Sequence, residues 1–198
     1  RRLAEIERRA TAAATAREGA AELLAYGTAV RLRPRLVKRR SEGRVRECHG
    51  DMHLGNIALV AGELVIFDGI EFNPALRWID TMSELAFLLM DLEHGGQPEL
   101  ARRCLERYLE VSGNCTGMCL LPFYKVYRAM VRAKVIAIRL SQPDLSQDER
   151  SQALAEYRVY SALAEGYGVE PQPAVIITHG VSGSGKSSLS QMLVAGLP

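Results

Sequence analysis

His49-Gly50-Asp51-Met52-His53-Leu54-Gly55-Asn56, followed a little later by Ile66-Phe67-Asp68-Gly69, is the stretch that decides how this chain is read. Between them lie two short apolar runs, Ile57-Ala-Leu-Val60 and Leu64-Val-Ile-Phe67, separated by Ala61-Gly62-Glu63. That pattern predicts a tight β-hairpin. The hairpin returns the carboxylate of Asp68 to the loop that already carries Asp51 and Asn56. The result is a set of hard oxygen donors. Phosphoryl transfer to a hydroxyl needs such a set: one carboxylate takes or orients the hydroxyl proton, and other oxygens hold Mg²⁺ against the nucleotide phosphates.

The spacing from Asp51 to Asn56 matches the D-x-x-x-x-N of a protein-kinase catalytic loop, with Gly50 in place of its Arg and Asp68-Gly69 in place of its D-F-G. In this form, H-G-D-x-H-x-x-N with a later D-G, the stretch resembles the aminoglycoside phosphotransferase and choline kinase branch of the kinase-like fold. The chain is also similar to bacterial phosphotransferase-like proteins fused to a P-loop ATP-binding domain. The resemblance runs through Arg77-Trp78-Ile79-Asp80 and, less specifically, to about residue 166. It implies an ATP-dependent phosphotransferase acting on a small-molecule hydroxyl acceptor. Asp51 is then the catalytic base, and Asn56 and Asp68 are Mg²⁺ ligands. His49 is a structural residue of the loop, and Asp80 is a buried acid that supports it. Met52 and Leu54 stand where that branch often has Leu and Pro. Glu71 either adds to the metal shell or faces solvent. Two other readings use the same residues. As plain turn and cap residues they leave the hairpin and second carboxylate unexplained. As a zinc or iron site, His49, Asp51 and His53 lack a further ligand source.

A second motif lies at Thr178-His179-Gly180-Val181-Ser182-Gly183-Ser184-Gly185-Lys186-Ser187-Ser188, which contains G-x-x-x-x-G-K-S. It follows Ala174-Val-Ile-Ile-Thr178, which reads as a buried strand, and opens a helix near Lys186, the context a P-loop requires. The glycines let successive N–H groups face phosphate oxygens, and the helix N-terminus adds its partial positive charge. Lys186 is expected to reach the β- and γ-phosphates and the Ser187 hydroxyl to ligate Mg²⁺. The candidate ATP-binding residues are therefore Gly180, Ser182, Gly183, Ser184, Gly185, Lys186, Ser187 and Ser188. His179 is a strand-end residue with no catalytic role. The alternative function is a P-loop small-molecule kinase or ATPase whose kinase-like lobe is a scaffold or a nucleotide-sensing pseudokinase.

The remainder of the chain is organised around these motifs. Helical spacing predicts helices over 1–26, over 28–41 with an interruption near Pro34, and over 81–93, 98–112, 120–140 and 146–166. The fold class is α+β: a mainly helical C-terminal lobe of a protein-kinase-like fold over 1–166, a linker at 167–173, and the first strand, P-loop and helix of an α/β P-loop NTPase domain over 174–198. The 48 residues before His49 offer no glycine-rich strand pair and only Lys38 as a lysine. The lobe that covers the phosphates is therefore expected upstream of Arg1, and this stretch alone is expected to be inactive.

Composition excludes several classes. With 47% hydrophobic and 24% charged residues the chain is neither disordered nor fibrous. No apolar run approaches the roughly 18 residues of a membrane span. Cys48, Cys104, Cys115 and Cys119 form no disulfide framework in a chain of this length, so free thiols and a cytoplasmic location are expected. Residues 1–47 carry 13 basic and 6 acidic side chains, whereas residues 48–198 carry 12 and 17. The basic block Arg31–Arg40 lacks the interleaved aromatics of a nucleic-acid binder and reads as a solvated face. On the 120–140 helix, Lys125, Arg128, Arg132 and Arg139 share one side. Such a stripe favours an anionic acceptor, unless Glu84, Asp91 and Glu93 of neighbouring segments pair with it. Trp78, Phe87, Tyr124 and Tyr127 read as core.

Overall fold

The computed structural model describes residues 31–168 and 177–196. The helix expected over 1–26 and most of the linker lie outside them. Helix α1 covers 31–41 and passes through Pro34 without interruption.

Strand β1 (Val45–Glu47) pairs antiparallel with β4 (Trp78–Asp80), with Val45 opposite Asp80 and Glu47 opposite Trp78. The hairpin β2 (Ile57–Val60) and β3 (Glu63–Ile66) lies between them in sequence. Its loop is only Ala61-Gly62, because Glu63 already pairs with Val60. Both loop residues have positive φ, 52° and 87°, as a two-residue hairpin turn of matching twist requires. The short helix α2 (Pro74–Arg77) opens on Asn73, whose side chain accepts from the Ala75 N–H.

The helical part comprises α3 (Thr81–His94), α4 (Pro98–Ser112), α5 (Leu121–Leu140) and α6 (Gln147–Gly168), with a 3₁₀ turn at Cys115–Leu120 before α5. Helix α3 is buried from Met82 to Phe87 and from Leu89 to Leu92, on nearly every side, and so lies at the centre of the helical part. One side of it joins Leu32, Leu120, Leu121 and Tyr124. The other side carries Phe87 and Met90 to Ala129, Ala133, Ala153 and Ala164 of α5 and α6, where small residues let the two helices approach closely. The architecture is mainly helical with two small antiparallel ladders. Among the described residues no helix is long and apolar enough to cross a membrane.

Three expectations need correction. Trp78 and Tyr127 are not core: they are 53% and 48% exposed, whereas Phe87 and Tyr124 are buried. An aromatic on a two-stranded ladder, or on the outer side of a helix, has only one neighbour to cover it. Helix α6 continues to Gly168, two residues into the expected linker. The strand expected before the P-loop is not seen in its described part: Ile177 and Thr178 are irregular and Ile177 is 83% exposed. A buried strand needs neighbours on its edges, and none lies beside it among the described residues.

Candidate functional site

The loop from His49 to Asn56 is held from beneath by buried charges on two helices. Glu84 of α3 is buried, and its carboxylate accepts from the N–H of His49 at 2.9 Å and from that of Gly50 at 3.1 Å. Asp91, two turns further along the same face of α3, accepts from the N–H of Leu54 at 2.8 Å and from the Tyr160 hydroxyl of α6 at 3.3 Å. Arg128 of α5 donates to the Gly50 carbonyl at 3.1 Å and to the Ser83 carbonyl at 3.2 Å, with its guanidinium over the Phe87 ring. Burial lowers the pKa of Arg128, while Glu84, Tyr127 and Asp51 oppose that effect. The loop also needs its glycine. Gly50 has φ +87°, and a Cβ there would stand 2.9 Å from the Leu76 carbonyl oxygen. A kinase-type arginine at this position does not fit.

On this base Asp51 and Asn56 are joined side chain to side chain, and the hairpin returns the chain beside Asn56 one residue before Asp68. The Asn56 amide donates to the Asp51 carbonyl at 2.9 Å and to Asp51 Oδ2 at 3.3 Å. Asn56 is buried, whereas the Asp51 side chain is 39% exposed. The hairpin ladder continues past Ile57 and Ile66 with the Phe67 N–H donating to the Asn56 carbonyl at 3.0 Å. Asp68 follows directly, at a left-handed φ of 61° that aspartate tolerates better than most residues. His49 closes the arrangement. Its Nε2 lies 2.8 Å from the Phe67 carbonyl, which can only accept, so Nε2 carries the proton. The His49 carbonyl in turn accepts from the Ile70 N–H.

The other sequence candidates fall elsewhere. Asp80 is buried, but its hydrogen bonds go to Arg39 of α1, at 2.6 and 2.7 Å, and to the Met82 N–H at the start of α3. None of them reaches the 49–56 loop, whose buried acids are Glu84 and Asp91. Arg39, drawn from the basic block, is thus an internal ion-pair partner rather than part of a solvated face. Its pKa is raised chiefly by the hydrogen bond to Asp80. Glu71 is exposed. His53 Nδ1 accepts from the Gly55 N–H and its Nε2 lies 3.5 Å from Asp51. With His49 bonded to Phe67, the two imidazoles do not converge with Asp51 as zinc ligands.

The basic stripe of α5 is used internally. Lys125 pairs with Glu93 at 2.5 Å, and Arg132 lies over the Tyr160 ring. Arg139 pairs with Glu149 of α6 at the longer distance of 3.8 Å. Its first three members are therefore not free to select an anionic acceptor. Glu84 and Asp91 were named in the sequence only as partners for this stripe. Their role under the loop has no local signature, because it depends on how α3 crosses beneath residue 50.

The segment Gly180–Ser188 has a different character. Helix α7 (Lys186–Gly196) begins at Lys186, as its spacing predicts. Gly183 and Gly185 both have φ +79°, and a Cβ on Gly180 would meet Ser184 Oγ at 2.7 Å. Lys186 Nζ donates to the carbonyls of Gly180 at 2.7 Å and Val181 at 2.6 Å, so it lies across its own loop. Ser182, Gly183, Ser184, Gly185, Ser187 and Ser188 are exposed.

Comparison with known proteins adds kinship without function. The chain is 34% identical over 150 residues to the uncharacterized protein Rv2004c of Mycobacterium tuberculosis (strain H37Rv) and to the uncharacterized protein Mb2027c of Mycobacterium bovis. The match covers 76% of this chain and 29% of each relative, so the chain spans less than a third of the proteins it matches. No family model matches it. No solved structure matches it either.

Proposed function

We propose that this chain carries the catalytic loop of an ATP- and Mg²⁺-dependent phosphotransferase of the aminoglycoside-phosphotransferase-like kind, which moves the γ-phosphoryl group to a hydroxyl of a small molecule. The observation that supports the reading is the hydrogen bond from the Asn56 amide to Asp51 Oδ2, with Asp68 placed one residue after Phe67, whose N–H donates to the Asn56 carbonyl. Asp51 Oδ2 is turned toward Asn56 and His53, which leaves Oδ1 for the proton of an acceptor hydroxyl.

The donor set also fits Mg²⁺. The Asn56 amide nitrogen is engaged with Asp51, so its Oδ1 is available, and Asp68 is exposed. Among the described residues no cluster of three His, Cys, Asp or Glu forms a metal cage. Mg²⁺ in phosphotransferases does not need one, because it is bound through one or two carboxylates, waters and the substrate phosphates. Asn56 and Asp68 would hold the ion, which supplies charge neutralisation for the transferring phosphoryl group. The segment Gly180–Ser188 would open a second ATP-binding unit of P-loop type, with Lys186 leaving its own carbonyls for the phosphates and Ser187 on the metal.

The test is product formation. The full-length protein, incubated with ATP, Mg²⁺ and a panel of small hydroxyl compounds, is expected to give a new phosphate monoester resonance by ³¹P NMR. The signal is expected to vanish with Asp51→Asn or on chelation of Mg²⁺. A signal that survives Asp51→Asn overturns the assignment.

A further inference from the structure

Arg128 belongs to the basic stripe of α5, yet it faces away from solvent and toward the loop. The bond it holds is the carbonyl of Gly50, the peptide unit that leads directly into Asp51. The preceding amides, of His49 and Gly50, are held by Glu84. Three successive peptide units are thus gripped from opposite polarities by side chains of two different helices. Arg128 itself has little freedom. Its Nε is fixed to the Ser83 carbonyl, its plane lies 4.8 Å from the Phe87 ring centroid and 5.7 Å from that of Tyr127, and it is buried.

We infer that Arg128 is the positioning residue of the Asp51 loop: by fixing the Gly50–Asp51 peptide it aims the Asp51 carboxylate at Asn56 before any ligand arrives. The inference rests on the reading of Asp51 as the phosphotransfer base. It explains why an arginine is needed. The two contacts come from different nitrogens of one rigid plane, which lysine, with a single ammonium, cannot reproduce. It also explains how Gly50, with the wide backbone freedom of a glycine, is held in one conformation. Side chains that pre-set a reacting group act by orientation, where an error of about 1 Å costs on the order of a hundredfold in rate.

The test compares Arg128→Met and Arg128→Lys with Ile136→Ala, a cavity-forming change elsewhere on α5. Local geometry is read by ¹H–¹⁵N NMR of the Asp51 amide, which shares its peptide plane with the held carbonyl, and of the Asn56 side-chain amide. Arg128→Met is expected to shift and broaden both signals, Arg128→Lys to restore them in part, and Ile136→Ala to leave them in place while lowering Tm. Equal disturbance by Ile136→Ala, or none by Arg128→Met, overturns the inference, because Arg128 would then be ordinary core. In the full-length protein, Arg128→Met is expected to lower kcat about a hundredfold with the KM for ATP nearly unchanged. If Asp51→Asn has no effect on turnover but the NMR signals behave as expected, the phosphotransfer reading fails while the grip on the loop stands. A raised KM with unchanged kcat would contradict the positioning role.

Discussion

The loop at Asp51 and the loop at Lys186 are both glycine-bearing turns with phosphate-type spacing, but their surroundings differ completely. Beneath the first lie Glu84, Asp91 and Arg128, each buried, each from α3 or α5, and each bonded to loop backbone. Among the described residues the second is bonded to itself: Lys186 to Gly180 and Val181, and the Ser184 N–H to the Val181 carbonyl. A motif carried by distant charges exists only in the folded lobe, and its geometry depends on that lobe's stability.

The difference can be broken most sharply at Glu84. Glu84→Ala leaves two loop amides and Arg128 without their carboxylate, a buried-charge loss of about 3–5 kcal/mol. Urea unfolding followed by circular dichroism is expected to show that loss. Gly50→Ala acts through backbone and space together, since the residue must hold a left-handed φ with its Cβ against Leu76. A loss of roughly 1–3 kcal/mol is expected in the same assay. Protection by the fold also extends to Cys48, at the entrance to the loop. Burial, then the neighbouring charges of Glu84 and Asp80, push its thiol up to about 11. At pH 8 its alkylation in the folded protein is expected to lag that of exposed Cys115 and Cys119 by about a hundredfold, read by mass spectrometry of labelled peptides. The smallest effect belongs to the other loop. Lys186→Ala is expected to change stability by no more than about 0.5 kcal/mol, because its bonds are exposed and local. A large loss there would mean that the P-loop is built into the fold after all.

What could be read in advance follows the same division. The hairpin, the four long helices and the start of α7 are signalled by period, proline and glycine, and each lies within a few residues of its expected place. The pairing of β1 with β4 was not legible, because three-residue strands carry no period and their register is set by residues 31 positions or more apart, as with Val45 and Asp80. At the site, Asp51, Asn56 and Asp68 were visible as a spacing. Glu84, Asp91 and Arg128 were visible only as charges, since nothing local shows that a glutamate on a buried helix faces a loop amide. Asp80 was tied to the loop by the resemblance alone, and its hydrogen bonds go instead to Arg39, more than forty residues earlier, and to the Met82 N–H.

The central claim is that the Asp51 loop, not the Lys186 loop, is where the hydroxyl acceptor reacts. The direct measurement is acceptor-dependent ADP release by the full-length protein, with Asp51→Asn and Lys186→Ala compared side by side. The account predicts that Asp51→Asn abolishes that release and Lys186→Ala spares it. Loss with Lys186→Ala and survival with Asp51→Asn would contradict it, and would place the chemistry in the P-loop unit with the helical lobe as its scaffold.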